Sequence, residues 1–461
     1  MYQINFHKPI HIYFCGIGGI SMSGLAEILL DRGFRVSGSD WNCSPLTELL
    51  ESRGASIHYG KPQRAENITP DIDCIVFTSA VHTDNPEYQR AMELGIPSLS
   101  RAELLGQLMT NYSCPIAVSG THGKTTTTSM IADILLAADT DPTISVGGIL
   151  DTIGGNIRVG GSGYFVTEAC EYTNSFLSFF PKIAIILNVE EDHLDFFHDL
   201  QEIRNSFHTF AGLLPEDGLL IMNGDIEHYE ELTAGLSCKV IRFGSTPHCD
   251  YYPSHISYNE LGHISASVHT SQGEDFTLSL RIPGKHNLYN ALASMALADY
   301  LGIHRKQALA ALQAFVGSKR RFEYKGSLGD IVVIDDYAHH PTEITATLTA
   351  AANYPHNELW CVFQPHTFTR TKAFMDEFAK ALSLADHVVL ADIYPARETD
   401  NLGISSKDLQ HKIRELGTDV HYFSSFDAIE NFLLENLIHK DMVITMGAGD
   451  IVKVGEKLLG M

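Results

Sequence analysis

Lys124 and Thr125 carry the clearest chemistry in this 461-residue chain, because they stand where an apolar run gives way to a helical-period segment in CPIAVSGTHGKTTTTSMIADILLAA. An apolar strand that meets Ser119, Gly120, Thr121, His122 and Gly123 and then turns into a helix aims backbone N–H groups and a helix N-terminus at an anion. In such a loop the Lys124 ammonium reaches the β and γ phosphates of a nucleotide, and the Thr125 hydroxyl, with Thr126 beside it, serves Mg²⁺. The spacing is shorter than GxxxxGK[ST], since Val occupies position 118. A plain glycine turn ahead of an ordinary helix would leave four consecutive threonines, poor interior helix formers, without a reason.

Two further apolar runs end in groups suited to a cation. Glu168 closes YFVTEAC, and His193 follows IAIILNVEED. Mg²⁺ prefers oxygen, which suits Glu168 and leaves His193 for a second metal position or an outer contact. The paired His339 and His340 of DDYAHHPTE can act as base for an incoming ammonium, orient its carboxylate, or cap the helix that Pro341 opens. A second glycine turn, HIYFCGIGGISMSG, places Gly16, Gly18 and Gly19 after another apolar run. Read as GxGxxG it is a weak dinucleotide fingerprint, because its sixth position is Ser21, although Asp40 stands where a ribose partner would.

The elements that must position these groups read as parallel α/β units: buried strands appear as continuous β-branched runs between segments of helical period. One series runs through HIYFC, FRVSGSD, SIHYG and DCIVFTSAV to about residue 112. A second opens at CPIAVSG, passes YFVTEAC and KIAIILNVEEDH, includes a histidine-dotted strand-rich stretch from about 238 to 283, and ends near GSKRRFEYKG. A third runs from DIVVIDDYAHH through LWCVFQPH, HVVLADIYP and VHYFSS to DMVITMGAGD. Single cores stop growing near about 250 to 300 residues, so several domains are expected: 1–112, 113–319 and 320–461. The expected fold class is α/β, with an N-terminal Rossmann-like domain, a central P-loop ATPase-like parallel sheet with extra strands, and a C-terminal Rossmann-like domain. MGAGD near the C-terminus reads equally as a nucleotide contact or a tight turn.

A formal charge of −24 argues against a general nucleic-acid binder, so phosphate must be held locally. No apolar run approaches the roughly 20 residues of a membrane span. The opening MYQINFHKP lacks the features of a signal peptide, and the eight cysteines form no CxxC pair, so reduced thiols and a cytoplasmic location are expected.

Taken together, GTHGKTTT, TEACEY, NVEEDHLD, GKHNLYNALA, RRFEYKG, DDYAHHPTE and QPHTFTRT resemble the motifs of the Mur ligases, the ATP-dependent amide-forming enzymes of peptidoglycan precursor synthesis. The glycine-rich start and DDYAHHPTE are most similar to the branch that joins L-alanine to UDP-N-acetylmuramate. The resemblance implies ATP with Mg²⁺, two ions being expected: Lys124 on the phosphates, Thr125 and Glu168 on the first ion and His193 near the second. It implies His286, Asn287 and Asn290 around adenine, Arg321 and Asp336 closing over ATP, and Tyr337, His339 and Arg370 around the amino acid, with His339 orienting substrate. Two positions depart from the pattern: Cys170 replaces an Asp, and Thr367 stands where relatives often carry Arg.

The first loop then takes a different meaning, since UDP also carries a pyrophosphate. Gly16, Gly18 and Gly19, with Ser37 to Asp40 and Thr78, Ser79 and Ala80 at neighbouring strand ends, are expected to hold the nucleotide sugar. Three alternatives stay open at this point: a ligase for another amino acid or a preformed peptide, an NAD-dependent oxidoreductase using the first loop, and an ATPase switch.

Overall fold

The computed structural model describes residues 2–78, 81–259, 262–396 and 398–461, so Ser79 and Ala80, both expected at the nucleotide-sugar site, lie outside the described residues. Three sheets follow one another along the chain, each with helices between its strands. The first holds five parallel strands in the order Ser56–Tyr59, Arg35–Asp40, His11–Cys15, Cys74–Phe77, Ser98–Ser100. Its order reverses beside His11–Cys15, and the glycine turn leaves from that strand's C-terminal end, the place where open α/β sheets bind ligands.

The central sheet has ten strands, with Cys114–Ser119 between Ile183–Ile186 and Tyr164–Ala169, all parallel. Antiparallel strands finish both edges: Gly155–Arg158 on one side, Ile264–Thr270 and Phe276–Ser279 on the other. Isoleucine and valine fill the inner strands because those strands are covered on both faces. The helix Lys124–Ala137 packs on one face with the helix Lys285–Tyr300.

The third sheet runs Glu323–Leu328, Ile331–Asp336, Met442–Met446, Leu359–Phe363, His387–Leu390, Asp419–Tyr422. Its first strand falls inside the expected third domain, 320–461, although no apolar run announces it. Glu323–Leu328 pairs antiparallel with Ile331–Asp336 as an edge strand of the third sheet. Its residues are half-exposed or exposed, so it lacks the continuous apolar run that marked the buried strands.

One apolar cluster is continuous from Ile12 and Leu25 of the first sheet region to Phe176, Phe207 and Phe210 of the second, which binds those two layers together. The third sheet has separate clusters on its two faces, around Phe363 and Phe378 and around Trp360 and Ile429. Its junction with the central sheet is instead polar, and the candidate site lies there.

Candidate active site

The phosphate loop is built as the sequence suggests. Strand Cys114–Ser119 ends, Gly120 and Gly123 take positive φ of 139° and 85°, and the helix begins at Lys124. A Cβ at Gly123 would lie 2.8 Å from Asn290 Oδ1, so glycine is required both by conformation and by the approach of that helix. Asn188, which the sequence reading did not single out, braces the loop: His122 N donates to its Oδ1 at 2.7 Å, and its Nδ2 donates to His122 O at 3.0 Å.

Lys124 folds back over its own loop and donates to Thr121 O at 3.0 Å and to Glu171 Oε2 at 3.0 Å. Burial opposes its charge, but the Glu171 carboxylate outweighs that and lifts the ammonium pKa above its ordinary value. Glu171, buried and missed as a site residue, lies between Lys124 and His193, whose Nε2 is 3.8 Å from Glu171 Oε1. His193 stacks on Tyr172 at 4.5 Å and its pKa is lowered, first by burial. Glu168 ends its strand beside the loop and accepts from Gly147 N at 2.5 Å. A Cβ at Gly147 would sit 2.7 Å from Glu168 Oε2, and one at Gly148 would sit 3.3 Å from the Thr125 methyl, so two bare glycines lie directly over both groups expected to hold Mg²⁺.

Between this loop and the third sheet lies a cavity of about 250 Å³ lined by Gly123, Thr126, Asn188, His286, Asn287, Asn290, Arg321, Asp336 and Glu343. The structure thus brings together the expected adenine residues and the expected closing residues. Asp336 does so as a buried hub, accepting from Phe322 N at 2.9 Å, Ala338 N at 2.7 Å and Thr347 Oγ1 at 3.2 Å. Burial raises its pKa to about 6 against the pull of Arg321. His286 is held neutral, its pKa pushed down to about 4 by burial.

A second cleft, of about 360 Å³, opens on the other side of the same junction between His193, Asp192, Tyr172, His366, Thr369 and Arg370. Arg370 reaches across to Asp192 with contacts of 2.9 and 3.1 Å, both side chains nearly buried. Asp192 is held well below the usual carboxylate range because Arg370 outweighs the cost of burial. Thr367 caps the helix that carries Arg370, accepting from Arg370 N at 3.4 Å, and adopts a φ of 67°. The departure at Thr367 therefore has a local role, aiming Arg370.

His339 lines neither cavity itself but stands between residues that do, 3.4 Å from Glu343 of the first and with its ring 5.7 Å from that of His366 of the second. Its Nδ1 pairs with Tyr337 O at 2.9 Å, and burial pushes its pKa down to about 3, so it is a neutral orienting group and a poor base for an ammonium. Tyr337 lies under Arg320 and Arg321, at 4.9 and 5.2 Å, and does not itself line the Arg370 cleft. MGAGD is a turn whose carbonyls, Gly447 O and Gly449 O, accept from Arg320 at 2.8 and 3.0 Å.

Glu343 gathers two remaining charges, His122 Nδ1 at 3.2 Å and Arg321 Nη1 at 3.8 Å, and the neutral His339 ring, whose Nδ1 is at 3.4 Å. Among the described residues, His122, Glu190 and His340 offer donor atoms within 4.8 Å of one another. His340 Nδ1 accepts from Thr342 N at 3.4 Å, which leaves the proton on Nε2 and argues against a ligand set; the polar latch across the junction is His122 with Glu190 at 3.6 Å and Glu343 at 3.2 Å. Thr342 Oγ1 donates to Glu190 at 2.8 Å across the same junction.

The first glycine turn is self-closed. Gly16 N and Ile17 N both donate to Ser39 O, at 2.8 and 3.0 Å, and Gly18 N donates to Asp40 Oδ2 at 2.8 Å. Asp40 is thus a loop clamp, and Gly19 opens the helix Ile20–Asp31. Ser37 does not reach the turn: its hydroxyl is buried against His11 Nε2 at 2.7 Å, because it lies three residues before the strand end, in the core of the sheet.

Comparisons with known proteins agree along the whole chain. Residues 11–113 match the Mur ligase family catalytic domain, 118–298 the Mur ligase middle domain and 320–449 the Mur ligase glutamate ligase domain. A UDP-N-acetylmuramate–L-alanine ligase of Lachnospira eligens is 58% identical over 460 residues, covering all of both chains, and one of Agathobacter rectalis is 56% identical over 459 residues with the same coverage. The crystal structure of a UDP-N-acetylmuramate-alanine ligase from Thermotoga maritima superposes with a TM-score of 0.82 at 31% identity, covering 98% of each chain. A murein peptide ligase from Psychrobacter arcticus gives 0.73 at 28% identity, with the same coverage. Matched end to end, in sequence and in three-sheet architecture, the chain belongs to the Mur ligase family.

Proposed function

We propose that the chain joins L-alanine to the lactyl carboxylate of UDP-N-acetylmuramate, converting ATP to ADP and phosphate, as a step of peptidoglycan precursor synthesis. The structural observation that carries this reading is a junction with two cavities. The Lys124 loop borders one, Arg370 borders the other, and the segment from Asn188 to His193 contributes to both. A carboxylate oxygen attacks the γ phosphorus and ADP departs; the amine of alanine then attacks the acyl phosphate carbon, phosphate departs and the nitrogen loses its extra protons.

Each step assigns work to residues of this chain. Lys124 leaves Glu171 to meet the transferring phosphoryl group, and Arg321 offsets charge from the third sheet. Arg370 and His339 orient alanine, holding its amine near the acyl carbon. Contacts across the junction exclude water from an acyl phosphate that water would destroy.

The oxygen donors of Thr125 and Glu168, under the bare Gly147 and Gly148, fit Mg²⁺, which would neutralise phosphate charge there. His193, with Glu171, is the proposed neighbourhood of a second ion. The nucleotide sugar is assigned to the turn at Gly16, Gly18 and Gly19. We take 1–112, 113–319 and 320–461 as the sugar-nucleotide, ATP and amino-acid domains. No helix among the described residues is long and apolar enough to cross a membrane, and the eight cysteines are free, which supports a cytoplasmic site of action.

The test is release of ADP and phosphate with UDP-N-acetylmuramate, Mg²⁺ and single amino acids. L-alanine should stimulate release above glycine and D-glutamate; equal rates with all three would contradict the substrate assignment.

A further inference from the structure

The cations around the junction are nearly all matched to carboxylates: Lys124 to Glu171, Arg320 to Asp335, Arg321 to Glu343 and Arg370 to Asp192. Arg101 is different. It opens the helix Arg101–Met109 of the first sheet region, and among the described residues no carboxylate lies within ion-pair distance of it. Among the described residues its Nη1 donates to a neutral group alone, Ser21 Oγ, at 3.0 Å, in the first turn of the helix that follows Gly19.

Two close packings fix where this guanidinium stands. Asn156 Nδ2 of the central sheet donates to Ile20 O at 2.8 Å, pinning the glycine-turn helix onto the strand Gly155–Arg158. A Cβ at Gly106 would lie 1.9 Å from Ser178 O, so the Arg101 helix is seated directly on the segment that follows Glu171. Arg101 thereby sits between the first glycine turn on one side and Glu168 and Cys170 on the other. Burial lowers its pKa, and those two residues are the groups that act against this. An unmatched, half-buried guanidinium is costly to keep without an anion.

Resting on the proposed function, we infer that Arg101 is the group that receives the lactyl carboxylate of UDP-N-acetylmuramate and positions it for phosphorylation. The helix that opens at Gly19 turns its N-terminus toward the pyrophosphate, and the phosphorylating site lies at Lys124 and Glu168, so the acceptor carboxylate must stand between them. A planar fork of donors suits a carboxylate, and one contacted oxygen leaves the other to attack. The charge of Arg101 also offsets the repulsion of a carboxylate brought toward a triphosphate.

The experiment is calorimetric titration of wild type and Arg101→Gln, each saturated with Mg²⁺ and a non-hydrolysable ATP analogue, with no alanine. Two ligands are compared: UDP-N-acetylmuramate, and UDP-N-acetylglucosamine, which lacks the lactyl group. Loss of a charge-assisted contact should weaken UDP-N-acetylmuramate by about 10- to 100-fold and leave UDP-N-acetylglucosamine within about 2-fold, which also shows that the site is folded. Arg101→Lys should recover part of the loss. Equal weakening of both ligands, or of neither, would overturn the assignment of the carboxylate to Arg101. Failure of the wild type to bind UDP-N-acetylmuramate would instead overturn the functional reading, and this inference with it.

Discussion

The two glycine turns share one plan, strand to glycines to helix, yet they are finished in opposite ways. The turn at residues 16 to 19 spends its N–H groups on Ser39 and Asp40 and has no lysine at its helix start. The turn at residues 120 to 123 presents Lys124 and His122, held by the buried Glu171 and the half-buried Glu343, both drawn from segments far away in sequence. The difference fits two roles. A turn that only binds a pyrophosphate needs shape and dipole, whereas a turn at which charge is transferred needs mobile cations with counter-charges to release them.

The largest effect expected from breaking this contrast is at Lys124. Lys124→Ala should lower kcat by about 10³-fold or more while UDP-N-acetylmuramate affinity, measured with the ATP analogue and Mg²⁺ present, stays within about 2-fold. A parallel loss of sugar-nucleotide binding would show that the turns are not independent.

Arg370→Ala comes next. It removes the contact expected to orient alanine and leaves Asp192 buried without its partner, so KM for alanine should rise by about 10- to 100-fold. The melting temperature should fall as well, in line with a cost of about 3 kcal/mol for a broken buried pair. An unchanged KM for alanine with a raised KM for ATP would move Arg370 to the other cavity.

Asp40→Ala is a smaller perturbation. It frees Gly18 N and should weaken UDP-N-acetylmuramate by about 5-fold, the order of one hydrogen bond, with no change in KM for ATP.

The smallest effect on turnover, because it acts on stability, is a pH dependence that only the second turn should show. Against the cost of burial, Glu343 and Glu190 raise the His122 pKa from 6.5 to about 9. The folded pKa exceeds the unfolded one, so this stabilisation is complete below pH 6.5 and disappears as pH rises through about 9. Thermal melts of the ligand-free protein should decline across that window, and Glu343→Gln should flatten the decline. An unaltered slope in the variant would remove the latch from the description.

The fold class and the phosphate loop were legible in the sequence because both are local patterns: continuous apolar strands, then glycines at a helix start. Glu168 was legible too, as a carboxylate at a strand end. Glu171, Asp192 and Glu343 were not, because what makes them site residues is their partners: Lys124 is 47 positions from Glu171, and Arg370 is 178 positions from Asp192. No spacing rule carries that information.

Ser37 was misplaced for a related reason, since a polar residue in a strand can equally face a ligand or, as here, a buried histidine. Glu323–Leu328 was not read as a strand, although the boundary at 320 put it in the right domain, because an exposed edge strand does not show the apolar run of a buried one. Tyr337 was expected beside alanine from its motif; its ring lies under Arg320 and Arg321, contacts that no spacing in the sequence announces.

The assignment of two phosphorylated substrates to two separate turns is tested most directly by steady-state inhibition with UDP, ADP and NAD. The expected result is that UDP competes with UDP-N-acetylmuramate and not with ATP, ADP competes with ATP, and NAD has no effect. Competition between UDP and ATP, or inhibition by NAD against the nucleotide sugar, would contradict it.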